Sequence, residues 1–505
     1  MSQANYPPTP VDVTGLRLAP PSPARPNPAL ASDRAGDLAW PDAAPVSPGH
    51  SAMSQFVPPY PDRPREPLPP LAMLRAVRRN FLAAFDDKCF EYQLFTVQML
   101  RRRLFVCNSP DTVAQAFIAK HDSFERKTPQ MRHALHPLLG DGLFISDGRT
   151  WKERRAIVVP IVHASRLPQF APVMVEAANE TAERWAALPA GAPIDALREM
   201  ATLTAEIICR TVFGPRLGRE NATVIVASFS EYQRLVGQLD LMSLIGLPDW
   251  LPRFYSPAIR RAARRIHEVL DDIIRRCEGG GEASMIRLLL EARDPETGAG
   301  LDPEALRNEA AVIFMAGHET TANSLAWSWF LLSQAPEEEA RLHAELDAVL
   351  GGRLPTLDDV PQLVFTRAVF EETIRLYPPV PFLGRQALQD EQIRSRKIPK
   401  GSLVAVVPWL LHRHRQLWDK PDHFIPARFL PENAGARQRY SYVPFSVGPR
   451  VCAGQAFGLT EAVLCLATLA QRARLRLLPG TVVEPVCRLT LRPGNALPMT
   501  VQPRG

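Results

Sequence analysis

The chain has 505 residues, more than one hydrophobic core usually serves, so size alone favours two or more domains. Its 59 Lys and Arg against 53 Asp and Glu give a net charge of +6, too mild and too evenly spread to argue for nucleic acid. A local basic face for an acidic protein partner stays open. The seven cysteines, Cys89, Cys107, Cys209, Cys277, Cys452, Cys465 and Cys487, are odd in number and contain no Cys-x-x-Cys pair. They imply no disulfide framework or zinc site, and point to a reducing, cytoplasmic compartment. No apolar run reaches the ~18 residues of a membrane span. The start, Met1 to Pro8, has neither a basic nor an apolar signal region, so no signal peptide or membrane anchor is expected.

Residues 1–70 form a distinct zone holding 18 of the 50 prolines. Such a stretch pairs little backbone and buries little apolar surface, so it reads as disordered or as an extended wrap on the domain. From Leu71 to the end, residues 71–505, the pattern is globular. Leu104 to Cys107 reads as a strand, and Ser109-Pro110-Asp111 as a helix start with Ser109 as cap. Helical patterns fill the middle of the chain. The apolar segment Leu239–Leu251 suits core packing or the entrance of a pocket better than a membrane surface. Short strands return at Leu403–Val407 and near the C-terminus. No internal repeat is present, and the fold class is mainly α with small β-sheets.

Three constellations carry chemistry. A helix from Pro303 to Ala335, capped by Asp302, would span about 50 Å. Its middle reads Ala316-Gly317-His318-Glu319-Thr320-Thr321. Glycine there costs about 1 kcal/mol against alanine, and broken propensity inside a good helix suggests a site. Taken alone, Glu319 would face solvent and Thr320 would bond its own helix backbone. Glu372 and Arg375 stand three apart, on one helix face. Finally, Phe445-Ser446-Val447-Gly448-Pro449-Arg450-Val451-Cys452-Ala453-Gly454 sets one cysteine among glycines. Each position has a task if Cys452 ligates a haem iron. Gly448 and Gly454 let the backbone approach a flat macrocycle. Arg450 can hold a propionate, and Phe445 can shield the sulfur.

That decapeptide resembles the haem-ligand loop of the cytochrome P450 family, Phe-x-x-Gly-x-Arg-x-Cys-x-Gly, at all five fixed positions. The Ala316–Thr321 run is similar to the family's distal helix, Glu372-x-x-Arg375 to its Glu-x-x-Arg helix, and Pro426-Ala427-Arg428-Phe429 to its Pro-x-Arg-Phe motif with Ala427 in place of Glu. The resemblance implies the large single P450 fold from Leu71 onward, and haem b with Cys452 on the iron. It implies that Ala316 and Gly317 leave room for oxygen, that Thr320 hydrogen-bonds it, and that Glu319 relays protons from solvent. It further implies a buried network of Glu372, Arg375 and Arg428 beneath the cysteine loop. Propionate donors would be Trp151 and Arg155, one helical turn apart, with Arg385 and Arg450. Arg132 and His133 are further candidates, and His318 is a helix-face residue rather than a ligand.

The activity implied is that of a soluble monooxygenase which inserts one atom of O2 into a lipophilic substrate, by hydroxylation or epoxidation. No flavin domain follows Cys452, so electrons would come from a separate ferredoxin or flavodoxin with its reductase. The protein is expected to be a monomer. A peroxygenase would tend to lose the acid–alcohol pair that Glu319 and Thr320 keep. A haem-thiolate sensor without turnover is the rival outside enzymes. Val380, Pro381, Phe382 and Leu383 are expected to face the pocket. Fatty acids, terpenoids, steroids and aromatics all remain open as substrates.

Overall fold

Proline marks where many of the helices begin, because its missing N–H and fixed φ suit the first helical position. In the computed structural model, which describes residues 56–99, 102–189, 191–236, 254–278, 284–487 and 489–504, Pro110, Pro129, Pro215 and Pro303 all open helices. The segment Leu239–Leu251 and residues 1–55 lie outside the described residues. The helices that matter for the site are α1 (Pro129–Leu139), α2 (Gly148–Val158), α3 (Leu167–Ala186), α4 (Ala196–Phe213), α5 (Pro215–Leu235), α6 (Pro303–Gln334), α7 (Val364–Leu376) and α8 (Gln455–Ala470).

Asp302 caps α6 by accepting from Ala305 N at 2.8 Å. At 32 residues, α6 is about 48 Å long. Its C-terminal half is buried on nearly every side, with Trp327 and Trp329 fully enclosed. It packs against α1, α4, α7 and α8. Among the described residues, no helix is long and apolar enough to cross a membrane.

The largest sheet has four strands: β1 (Leu94–Met99), β2 (Arg102–Cys107), β3 (Leu403–Val406) and β4 (Leu383–Gln386), named here by position in the sheet. The order is β1-β2-β3-β4, with the β2–β3 pair parallel and its neighbours antiparallel. A single antiparallel bridge adds Lys127 opposite Arg385 on β4. A two-stranded hairpin, β5 (Pro485–Cys487) and β6 (Leu491–Pro493), lies near the C-terminus.

Residues 56–69 run as an extended strap along the domain. Phe424 N donates to Phe56 O, Tyr377 Oη donates to Pro59 O at 2.7 Å, and Arg63 grips Asp422 bidentately at 2.6 and 2.9 Å.

Candidate active site

The cysteine loop is closed by Cys452 N donating to Phe445 O at 2.8 Å. Two of its residues, Ser446 and Gly448, have left-handed φ values of +64° and +73°. Glycine is required at 448 for a second reason: a Cβ there would collide with the Phe117 carbonyl. Gly454 precedes α8 with an ordinary φ of −91°, and no atom lies within 4 Å of where its Cβ would stand. The Cys452 side chain is exposed and lines a cavity of about 320 Å³ that Phe445 also lines. Burial pushes the thiol up, against the Gly454 N–H and the charges of Arg155 and Lys127.

Four cations line the same cavity: Lys127, Arg155, Arg385 and Arg450. Among the described residues none of them has an ion-pair partner. Arg450 donates to Ser146 O at 2.7 Å, Arg155 to Val451 O at 3.1 Å and Arg385 to Gly384 O at 3.1 Å. Burial, and then the charge of Arg450, brings Arg385 down to about 9. Burial brings Arg450 to about 10 and Lys127 well below its ordinary value. Lys127 and Arg385 even stand directly opposite across a β-bridge, a pairing that like charges disfavour. Trp151 lines the cavity beneath the Arg450 guanidinium, 4.5 Å from ring centre to charge. A largely buried group of like charges is costly unless an anion pairs with it. A haem carries two carboxylates, and this donor set, with Cys452 on the cavity floor, fits one.

Lys127 belongs to no recognisable motif and was not anticipated. Arg132 and His133, the other candidates, do not reach this cavity. They line a separate pocket where His133 stacks on Tyr255 at 4.5 Å. They lie on α1, and the face of α1 that reaches the main cavity carries Met131 and Leu135 instead.

Across the cavity, Ala316, Gly317, Glu319 and Thr320 all line the wall formed by α6. Gly317 also permits close helix packing, since a Cβ would stand 2.6 Å from Ile208 Cδ1 on α4. Thr320 Oγ1 donates to Ala316 O at 2.7 Å, the local bond its sequence suggests. Glu319 is not turned to solvent. It is 6% exposed, pairs with Arg492 on β6 and accepts from Gln233 Nε2 on α5. A second acid, Glu461 of α8, also lines the cavity and accepts from Thr321 Oγ1 at 3.4 Å. Burial pushes it well above the carboxylate range, and its other oxygen has no partner. His318 is buried, its ring stacked on Phe314. Val380, Phe382 and Leu383 line the cavity, whereas Pro381 is absent from its wall. The remaining surface is apolar, from Met131, Leu143, Phe144, Val312 and Leu489 among others.

Behind the cysteine loop, Glu372 and Arg375 are both fully buried. They meet bidentately at 2.6 and 2.8 Å, and Arg428 approaches Glu372 at 3.5 Å. Two bonds tie this network to the chain entering the loop. Arg375 donates to His412 O, and His412 Nε2 accepts from Val443 N at 2.9 Å. Tyr442 Oη donates to Glu371 O at 3.1 Å.

A cysteine facing an apolar cavity, a rim of unpaired cations and an acid–alcohol pair on the opposite helix define a haem-thiolate oxygenase. The sequence profile described as Cytochrome P450 matches residues 62–497, and the chain belongs to that family. It is 36% identical to a cyclooctatin synthase of Streptomyces melanosporofaciens, over 73% of this chain and 80% of that one. It is 34% identical to a cyclooctat-9-en-7-ol 5-monooxygenase of the same organism, over 73% and 79%. A pentalenene oxygenase of Streptomyces avermitilis matches at 30%, over 70% and 78%. The crystal structure of the cytochrome P450DA heme domain superposes with a TM-score of 0.75 and 27% identity, covering 89% of this chain and 99% of that one. The protein is accordingly a P450 monooxygenase with a haem cofactor, an oxidoreductase that incorporates oxygen from O2.

Proposed function

We propose that this monooxygenase hydroxylates or epoxidises a bulky, largely hydrocarbon terpenoid. Haem b would be its cofactor, and a separate ferredoxin or flavodoxin with its reductase would supply electrons, all in the cytoplasm. The observation that carries this reading is the cavity itself. Its floor is Cys452, its rim four unpaired cations, and its roof apolar side chains. Such a roof offers few hydrogen bonds, so it suits a substrate recognised by shape and apolar burial. The relatives named for cyclooctatin, cyclooctat-9-en-7-ol and pentalenene agree with that class.

Haem, when bound, supplies oxygen activation at its iron. The chain does the rest. The Cys452 thiolate would hold the group, with Gly454 N–H to steady the sulfur. Arg155, Arg385, Arg450 and Lys127 would bind its carboxylates by charge-assisted hydrogen bonds, and Trp151 packs under Arg450. Ala316 and Gly317 keep the wall of α6 thin at the cavity. Thr320, once its hydroxyl leaves Ala316 O, is placed to donate into the cavity. Glu319 stands next to it as the acid that passes protons inward. The apolar lining excludes water and orients the substrate. Glu372, Arg375 and Arg428 hold the cysteine loop in place.

The test has two parts. The carbon monoxide difference spectrum of the reduced protein should show the strongly red-shifted Soret band of thiolate ligation, lost in Cys452→Ser. Incubation with cyclic diterpene and sesquiterpene hydrocarbons and alcohols, O2, NADPH and a surrogate ferredoxin system should give products heavier by one oxygen atom. A Soret band typical of histidine ligation would end the haem assignment. Oxidation of fatty acids but of no terpenoid would end the substrate assignment alone.

A further inference from the structure

Three consecutive residues of the C-terminal hairpin bond to three residues of α6 spaced four apart. Arg492 pairs with Glu319. Asn323 Nδ2 donates to Thr490 Oγ1 at 2.9 Å, and Trp327 Nε1 donates to Leu491 O at 3.4 Å. Positions 319, 323 and 327 form one stripe, since residues four apart share a helix face. The hairpin therefore docks along α6, and the stripe it covers ends on the acid. From the other side, Gln233 of α5 donates to the second carboxylate oxygen of Glu319. Each oxygen thus has its own donor, and neither donor is Thr320, whose hydroxyl is turned to Ala316 O. Acid and alcohol are neighbours in sequence with separate partners in space.

Gln233, Leu489 and Thr490 line the substrate cavity together with Glu319. The two arms that grip the acid are therefore joined to the surfaces a substrate touches. With its two oxygens engaged by Arg492 and Gln233, Glu319 can hand a proton towards Thr320 only after it leaves Arg492. That transfer moves one proton and no electrons. The donor becomes a carboxylate again, ready to return to the arginine.

Resting on the reading that Glu319 supplies protons, we propose that Arg492 is a positioning residue. With Gln233 it holds Glu319 apart from Thr320, and a substrate seated against Gln233, Leu489 and Thr490 loosens that hold. Proton delivery is thereby tied to occupancy of the cavity.

The experiment compares wild type, Arg492→Met, Arg492→Lys, Glu319→Gln and the Arg492→Met/Glu319→Gln double variant as haem-loaded proteins. Reductase-driven O2 consumption is followed with and without the diterpene alcohol sclareol as probe. Wild type should consume O2 slowly alone and several-fold faster with sclareol. Arg492→Met should be several-fold faster without the probe and lose most of the stimulation, and Arg492→Lys should recover it. Glu319→Gln and the double variant should be equally slow. A thermal-unfolding cycle, independent of turnover, should show that the double variant loses no more stability than Arg492→Met alone. An unchanged probe-free rate in a haem-loaded Arg492→Met, with Glu319→Gln slow, would overturn the clamp alone. A Glu319→Gln protein as fast as wild type would overturn the proton role on which it rests. If Arg492→Met does not take up haem, Gln233→Leu removes the other arm and should raise the probe-free rate in the same direction. No rise there would overturn the proposal.

Discussion

Around Glu372 every charge has a partner, whereas around Arg385 the cations face one another. Arg375 uses all five of its N–H groups: two on Glu372, and one each on the carbonyls of His412, Pro421 and His423. Glu372 adds a bond from Ile425 N at 2.8 Å and the approach of Arg428. Lys127, Arg385 and Arg450 are buried and Arg155 half-buried, yet among the described residues they hold carbonyl contacts and ring faces rather than carboxylates. Desolvation penalises both clusters. The first repays it within the chain and so belongs to the scaffold. The second would be completed by an anion from outside, and that asymmetry distinguishes a strut from a receptor.

The contrast can be broken most forcefully at Glu372. Replacing it or Arg375 with alanine leaves a charge buried and uncompensated, at a cost of about 3–5 kcal/mol. Little haem-loaded protein should be recovered, and normal yields with an unchanged thermal midpoint would show that the network is not structural.

Glu309 sharpens the comparison, because it is satisfied only in part. It is fully enclosed on α6, accepts from Leu143 N at 2.9 Å, lies 3.7 Å from Arg154, and has one oxygen without a partner. Burial pushes it up to about 7 from an ordinary 4.5. Between those values the unfolded chain has released this proton and the folded chain keeps it, so stability falls as pH rises through that window. The loss is roughly 3 kcal/mol at about 1.4 kcal/mol per pH unit. Denaturant titrations from pH 4.5 to 7 should show wild type losing that much relative to Glu309→Gln. Parallel curves would mean that the carboxyl titrates normally.

The smallest effect has opposite signs in the two states. Arg385→Met should weaken haem binding about 10- to 100-fold, from a lost charge-assisted bond of about 1.5–3 kcal/mol. The same change should stabilise the haem-free protein, by roughly 0.5–1 kcal/mol for relief of the pairing with Lys127. Haem titration and apoprotein unfolding measure the two halves. A less stable apoprotein would place Arg385 among the struts.

Local chemistry was readable wherever the partner was local. Asp302 and Pro303 announce the start of α6, three-residue spacing puts Glu372 and Arg375 on one face, and Thr320 reaches the carbonyl four residues back. The surroundings of Glu319 were not readable, because Arg492 and Gln233 come from a hairpin and a helix that carry no motif. Lys127 becomes a rim residue only through its bridge to Arg385, a contact set by sheet geometry rather than by its neighbours in sequence. Arg132 and His133 show the converse, since nearness in sequence to the Trp151 helix did not bring them to the same cavity. Gly317 was read as space for a ligand, while the packed structure also gives it Ile208.

The strap at 56–69 has a consequence for the order of events in folding. Arg63 and Asp422 are 359 positions apart, and Pro59 and Tyr377 are 318 apart. Closing loops of that length is entropically costly, and contacts of high sequence separation are slow to form. Interactions made late bear on the rate of unfolding more than on the rate of folding. During synthesis the strap leaves the ribosome well before Tyr377 and Asp422 exist to receive it. The earliest described residues to be made must therefore wait through 318 positions of synthesis or more for these partners they fasten to.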